Sequence, residues 1–377
     1  MRLLYLAPYY DAGLTGPEQL MERYGSSALW CRAVLGAGAD AVTVLQRFTR
    51  DAETSDGGVR WLFMSDGLPP ALPRLRPPAA FFRRAAAEPA DVAHLNGGAW
   101  HARALRRTLP PATAIAWQHH GGPLPRVPFR PLLRHAFAHT DLLLFTAPEQ
   151  ADEWRAAGLI PAGVPAEAVI EASSAFLPVG REEARRSTGI AGDPAVLWVG
   201  RLEAVKDPLT VLRGFARTVA ALPHAHLTMV YGGGSMLGDV RSAVDSLGLS
   251  GRVTLRGEVP HNELPAWYSA ADLFVLGSHR EGSGFALIES LACGCTPVVT
   301  AIPSFRAITA GIPAALLWPA GDADAFGAAL RSAPRDAAAR AAVVEGFRRH
   351  LSPASLGAAA VRAYRRAAAG RTGGRGG

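Results

Sequence analysis

Asp272-Leu-Phe-Val-Leu276, Gly277-Ser-His-Arg-Glu-Gly-Ser-Gly284, Phe285-Ala-Leu-Ile-Glu-Ser-Leu-Ala-Cys293 and Pro297-Val-Val-Thr300 decide how this chain is read. An apolar run of strand length passes through a glycine-bearing turn into a run of helix length. Gly294 is placed to stop that helix, and a second short apolar run follows. Strand, turn, helix and strand again is the repeating step of a parallel sheet covered by helices. The helix start presents backbone N–H groups with no intrahelical acceptor, which suits a negatively charged ligand. Yet Glu281 and Glu289 stand in the same stretch, and carboxylates repel a bare phosphate. A ligand with phosphate for the amides and hydroxyls for the carboxylates removes the conflict. A nucleotide sugar has both.

Working outward, the pattern of short apolar runs and helix-like stretches fills the chain. Leu3–Ala7, Ala41–Leu45, Asp91–Leu95, Ala114–Trp117 and Leu142–Phe145 read as strands, with helical periodicity over Glu18–Leu35. The alternation restarts with strands at Ala195–Val199, Leu227–Tyr231, Val253–Leu255, Leu273–Leu276 and Pro297–Val299. Pro208–Leu222, Gly238–Leu247 and Phe285–Cys293 are the helices between them. The fold class is therefore α/β: two doubly wound, Rossmann-like parallel-sheet domains facing a central cleft, where a ligand sits beyond the carboxyl ends of the strands. The division falls at 1–175 and 176–352. A terminal helix over 353–371 packs back toward the N-terminal domain, and 372–377 is a tail. Asp66–Arg84, with Pro69, Pro70, Pro73, Pro77 and Pro78, reads as a solvated loop leading into a helix, with an acceptor or membrane contact as the alternative, which the segment Arg126–His139 shares. A basic helix is expected near Arg126–His139.

The totals agree with two globular domains. The chain has 377 residues, 49% of them apolar, against a rough prior of about 150 residues per domain. There is no apolar run long enough to span a bilayer. Met1–Leu6 reads as a first strand rather than a signal peptide. Cys31, Cys293 and Cys295 are too few for a disulfide framework, and no partner cluster has zinc spacing, so they are read as structural and no metal is expected. A cytoplasmic setting follows, with peripheral contact at the inner membrane face as a further option. The net charge of +7 suits anionic substrates or an anionic surface. It does not form the dense basic blocks with interleaved aromatics of a nucleic-acid binder. Nearly all the positive charge is arginine, and Lys206 is the only lysine. Where arginine is the default, one retained lysine is informative.

Four clusters carry the chemistry. A carboxylate accepts two hydrogen bonds side by side, which fits the vicinal hydroxyls of a ribose or a sugar, at about 1.5–3 kcal/mol for each charge-assisted bond. That is the reading of Glu281 and Glu289; the plain alternative is a pair of exposed or arginine-paired acids. Val199-Gly200-Arg201 ends another strand, with Lys206 and Asp207-Pro208 just beyond it. Arg201 grips a diphosphate bidentately and Lys206 as a point charge; the alternative is solvated charges around a turn. Asp11-Ala-Gly13-Leu-Thr-Gly16 follows the first strand and brings amides toward the ligand. Trp117-Gln-His119-His120-Gly121-Gly122 follows a later strand, and a histidine there either bonds a sugar hydroxyl or is structural. Tyr231-Gly-Gly-Gly-Ser235 is a close-approach turn without the spacing of a dinucleotide fingerprint.

Together these residues resemble the retaining GT-B glycosyltransferases, glycosyltransferase family four (glycosyl transferases group 1). The resemblance runs from Val199-Gly-Arg-Leu202 and Lys206-Asp207-Pro208 through Gly257-Glu-Val-Pro260, Leu264, Tyr268 and Ala271-Asp-Leu-Phe-Val275. It ends on Ser278, Glu281-Gly-Ser-Gly284, Glu289, Gly294 and Pro297-Val-Val299. It implies donor pyrophosphate on Arg201 and Lys206, ribose on Glu289 and donor-sugar hydroxyls on Glu281. Amides around Gly284, Phe285, Ala286 and Leu287 would hold sugar and phosphate, with Val259 beside the nucleobase. In the first half, Gly16 in Thr15-Gly16-Pro17-Glu18 stands where the family often has Gly-Gly-x-Glu, and His120 before Gly121 resembles its donor-contacting histidine, with His119 the alternate. The implied reaction moves a sugar from a UDP-, GDP- or ADP-sugar to an acceptor hydroxyl, without a cofactor or metal. The acceptor is a sugar, a lipid-linked molecule or another small molecule. Rival readings are a sugar-nucleotide epimerase or phosphorylase of the same fold, a non-catalytic nucleotide-sugar-binding protein and, last, a nicotinamide dehydrogenase.

Overall fold

The computed structural model describes residues 1–71 and 76–373. Pro73 of the proline-rich segment and residues 374–377 of the expected tail lie outside them. The chain forms two compact units. One comprises residues 1–171 together with the C-terminal segment from Pro353; the other is Ala172–Ser352, so that residues 172–175 fall with the second.

The first unit is built on eight strands: β1 (Arg2–Ala7), β2 (Ala41–Arg47), β3 (Ala52–Asp56), β4 (Val59–Met64), β5 (Val92–Leu95), β6 (Ala114–Gln118), β7 (Leu142–Phe145) and β8 (Ala166–Ala168). Their order is β3-β4-β2-β1-β5-β6-β7-β8. The central strands are apolar along their length because helices cover both faces; Val92–Leu95 and Leu142–Phe145 are buried throughout. The expected parallel sheet carries one antiparallel edge. β3 pairs with β4 in a hairpin whose turn residues Gly57 and Gly58 have φ of +55° and +83°. A two-residue turn with both φ values positive matches the twist of its strands, and Asp56-Gly57-Gly58 was its signal.

The helix expected over Glu18–Leu35 divides into Pro17–Arg23 and Gly25–Gly36. Tyr24 breaks it at φ −105° and ψ 36°, ahead of Gly25-Ser26-Ser27, all weak helix formers. The expected basic helix shortens to Arg130–Phe137, preceded by a 3-10 turn at Val127–Phe129. The C-terminal helix Pro353–Gly373 packs along Gly25–Gly36. There the Tyr364 hydroxyl accepts from Trp30 Nε1 (3.0 Å) and shares a hydrogen bond with His94 Nδ1 (2.5 Å). Burial pushes the His94 pKa down to about 3, which keeps the ring uncharged at neutral pH.

The second unit has six strands, all parallel: β9 (Ala195–Gly200), β10 (His226–Tyr231), β11 (Val253–Gly257), β12 (Leu273–Leu276), β13 (Thr296–Thr300) and β14 (Leu316–Trp318). Their order is β11-β10-β9-β12-β13-β14. The chain winds from β9 through β10 to β11 on one side, then crosses to lay β12 on the other flank of β9. That reversal makes the carboxyl ends of β9 and β12 a topological switch point, where the loops that follow diverge and leave room for a ligand. The helix expected over Pro208–Leu222 stops at Ala216. Just past its end, Thr218 donates its hydroxyl to the Phe215 carbonyl at 2.7 Å, a local bond that competes with helix continuation.

Candidate functional site

The loops leaving β9 and β12 are tied to each other by backbone and side chains. His279 N–H donates to the Val205 carbonyl at 2.8 Å. Asp207 takes a left-handed conformation, φ 42° and ψ 59°, the single positive-φ non-glycine among the described residues. Its Oδ1 accepts from the Thr210 amide at 3.1 Å, capping helix Pro208–Ala216. Its Oδ2 bonds His279 Nε2 at 2.9 Å. A strained residue of this kind persists where its surroundings over-determine it. Here one carboxylate caps a helix and braces the facing loop.

Between these braced loops, Lys206 Nζ pairs with Glu281 Oε1, and Ser278 Oγ donates to the same oxygen at 2.7 Å. The side chains remain 23% and 11% exposed, so the pair is sheltered but open at one side. Ser278 is in turn held from behind, because Thr300 Oγ1 donates to its carbonyl at 2.6 Å. Arg201 stays apart from this pair. Its guanidinium is well exposed and meets Glu203 at 2.5 Å.

Glu289 lies in helix Phe285–Ala292, which Gly284 opens at φ 61°. A side chain at Gly284 would place Cβ 2.7 Å from Ile308 Cδ1, so glycine serves both the left-handed backbone and the close packing. Because the helix begins at Phe285, Glu289 stands just over one turn into it. It still shares a face with Phe285, four positions earlier. Its carboxylate is buried and takes one bond on each oxygen: His261 Nε2 at 2.8 Å on Oε1 and the Tyr268 hydroxyl at 3.0 Å on Oε2. The bond to Glu289 raises the His261 pKa, against burial. Burial, then the Glu289 charge, raises that of Tyr268, which holds its proton on the bond. Each carboxylate oxygen keeps a second lone pair. Phe176 lies against His261, ring centroids 5.0 Å apart. Val259, after β11, is buried.

In the first unit, the switch point lies between β1 and β5. Gly16 is an extended residue just before helix Pro17–Arg23. The two neighbouring histidines separate cleanly. His119 is buried among Trp117, Phe145 and Trp154. Its Nδ1 accepts from the Gly121 amide at 3.3 Å, and its Nε2 meets the Gly122 carbonyl at 3.1 Å. It shapes the loop. His120 is partly exposed and bonds Glu171 Oε1 through Nδ1 at 2.5 Å. Burial alone would lower its pKa, but the hydrogen bond and charge of Glu171 outweigh that and raise it.

His261 and Glu171 are the partners that sequence reasoning missed, being distant in sequence from the residues they serve. Cys31, Cys293 and Cys295 are free and buried, and burial raises the Cys293 thiol to about 12.

Residues 180–350 match the model of one family, glycosyl transferases group 1. A D-inositol 3-phosphate glycosyltransferase from Thermobispora bispora is 38% identical over 135 residues, 33% of this chain and 31% of that protein. The chain thus spans about a third of that relative's length. Among solved structures, sucrose-phosphate synthase from Thermosynechococcus elongatus is similar with a TM-score of 0.72 and 20% identity, covering 97% of this chain and 98% of that one. Anabaena HepE in complex with UDP is similar with a TM-score of 0.70 and 15% identity, covering 97% and 100%. The likeness to these structures is one of fold: two Rossmann-like parallel-sheet units, the GT-B class.

Proposed function

We propose that this chain transfers a sugar, with retained anomeric configuration, from a nucleotide diphosphate donor to an acceptor hydroxyl, a reading supported by the match of residues 180–350 to the glycosyl transferases group 1 model. The observation that carries this reading is the Lys206–Glu281 pair at the β9–β12 switch point, beside the first turn of helix Phe285–Ala292. A lysine and a carboxylate meet there just ahead of a helix start, which suits a ligand with both diphosphate and hydroxyls.

In this mechanism the bond between the anomeric carbon and the β-phosphate oxygen breaks as negative charge builds on the diphosphate. Lys206, Arg201 and the amides of Phe285, Ala286 and Leu287 meet that charge. They are set before reaction, so they stabilise the transition state more than the ground state. The acceptor oxygen bonds the anomeric carbon on the face the diphosphate leaves, and its proton passes to the departing phosphate oxygen. Retention follows without a carboxylate nucleophile. Glu281 holds donor-sugar hydroxyls, Glu289 the ribose hydroxyls, Val259 lines the nucleobase, and His120 and Gly16 belong to the donor-contacting set. The cations and amides neutralise the diphosphate, so the reading assigns no metal. The acceptor is a sugar, a lipid-linked or another small molecule, and peripheral contact of the protein with a membrane belongs to the same reading.

HepE is a UDP complex, so UDP-sugars come first in a thermal-shift and turnover panel that also includes GDP- and ADP-sugars. One donor is expected to raise the melting temperature and to release nucleotide only when an acceptor is present. Glu281→Ala should keep donor binding and lose turnover, by about 10²–10³-fold if it acts as a positioned transition-state group. A folded sample that answers to none of the donors sinks the proposal. Loss of turnover on chelation with EDTA would overturn the metal-free part alone.

A further inference from the structure

Between Asp91 and Asp141 the chain holds no acidic residue, while the same stretch carries Arg103, Arg106, Arg107, Arg126, Arg130 and Arg134. It supplies the helices Ala102–Thr108 and Arg130–Phe137 and the 3-10 turn Val127–Phe129. Helix Arg130–Phe137 buries Leu133, Ala136 and Phe137 in the first unit. Leu132 and His135, three positions apart and so on one face, are turned to solvent. Val127 is 69% exposed and Leu132 37%, so large apolar side chains stand out beside the arginines.

Helix Ala102–Thr108 packs against helix Arg130–Phe137. The His135 and His139 rings lie 5.1 Å apart. After burial, the charges of His135, Arg103, Arg107 and Arg106 all press the His139 pKa down. Arg103 and Arg107 therefore stand on the helix packed beside the one that carries Leu132 and His135. Three arginines are engaged within the fold, Arg130 through the Pro125 carbonyl at 3.2 Å. Arg106 holds the Thr113 carbonyl and Asp141, and Arg134 holds the Gly158 carbonyl. Asp141, which ends the acid-free stretch, is paired with both Arg106 and Arg371. Arg103, Arg107 and Arg126 are exposed.

We propose that the face formed by Val127, Leu132, Arg103, Arg107 and Arg126 docks on an anionic phospholipid bilayer. Cations alone would fit any anionic polymer, but exposed valine and leucine gain nothing from a nucleic-acid backbone. A bilayer supplies both halves: anionic headgroups at the level of the guanidinium groups and hydrocarbon just below for the apolar side chains. Among the described residues no helix is long and apolar enough to cross a membrane, so the contact is interfacial. It deepens the membrane clause of the proposed function, but vesicle binding is measured without turnover, so either can fail alone.

The test is co-sedimentation of the full chain with vesicles of phosphatidylcholine containing about a third phosphatidylglycerol, against pure phosphatidylcholine. Binding is expected to the anionic vesicles, and weakened at high salt. Arg103→Gln with Arg107→Gln should weaken it about 25-fold, from roughly fivefold per arginine near an anionic surface. Val127→Asp with Leu132→Asp should weaken it more than tenfold. As a measurement independent of those variants, Val127→Cys labelled with an environment-sensitive dye should brighten on anionic vesicles; the native thiols are buried. No binding to anionic vesicles overturns the proposal. So does binding that salt removes but the aspartates leave intact with a silent dye, which would mark a surface for soluble polyanions.

Discussion

Two ion pairs, one in each unit, show how the same chemistry serves different ends. Arg47 and Asp66 in the first unit are fully enclosed, with side chains 0% and 2% exposed. The guanidinium meets both carboxylate oxygens, at 2.8 and 2.7 Å, and also donates to the Pro8, Leu68 and Pro69 carbonyls. Nothing is left over for a ligand. The pair fastens the segment after β4 to the end of β2, and the bond to the Pro8 carbonyl ties in the loop leaving β1. Lys206 and Glu281 in the second unit are sheltered yet open on one side, and they join two loops at a switch point. A closed pair holds structure, and a partly exposed one can be reached by a ligand.

The largest effect that could break this contrast is on stability. Arg47→Met should destabilise the protein by about 3–5 kcal/mol, because it leaves the Asp66 carboxylate buried without its partner. Urea unfolding measures it. A loss under about 1 kcal/mol would mean that the pair is no more structural than a surface bridge.

Lys206→Ala should behave in the opposite way. A partly exposed pair contributes about 0–1 kcal/mol to folding, so the urea midpoint should hardly move. Turnover with the donor found in the panel should fall about 10²–10³-fold if Lys206 meets charge in the transition state. A variant that unfolds as easily as Arg47→Met, or that keeps full turnover, removes the distinction between the two pairs.

The same contrast explains what could be read from the sequence. Lys206 follows β9 and Glu281 follows β12, and each cluster is local, a strand end with its own turn. Strand periodicity, Gly200, Pro208 and the helix start at Phe285 placed them without tertiary information. The partners of Glu289 could not be placed that way. His261 and Tyr268 come from a separate 3-10 turn and helix, and packing alone brings them to the carboxylate. In the first unit, His119 and His120 are adjacent in sequence and opposite in role, one inside an aromatic cluster and one outward. The direction of a loop side chain depends on Trp117, Phe145 and Trp154, contributed by different elements. The hairpin at Gly57-Gly58 and the break at Tyr24 were legible in their turn residues, and were outweighed by the stronger apolar periodicity around them.

The smallest expected effect tests the His120–Glu171 pair, intermediate between the two extremes because one partner is sheltered and the other 41% exposed. Glu171 raises the His120 pKa in the folded protein above the ordinary 6.5. A raised folded value means that the pair stabilises fully below about 6.5, and that this contribution is lost as pH rises through the folded pKa. Solvent screening at the exposed imidazole keeps it below about 1 kcal/mol. Glu171→Gln removes the charge but keeps a hydrogen-bonding group, so it should lower the His120 midpoint in an NMR titration and flatten the stability difference between pH 6 and pH 9. If His120 turns toward a donor hydroxyl, the carboxylate on Nδ1 fixes which ring nitrogen is left to face it. Glu171→Gln should then shift the pH profile of kcat/KM along with the titration. An unchanged midpoint would mean that the two side chains do not meet in solution. A shifted midpoint with an unmoved kcat/KM profile would assign the pair to the loop's structure, placing it with Arg47 and Asp66.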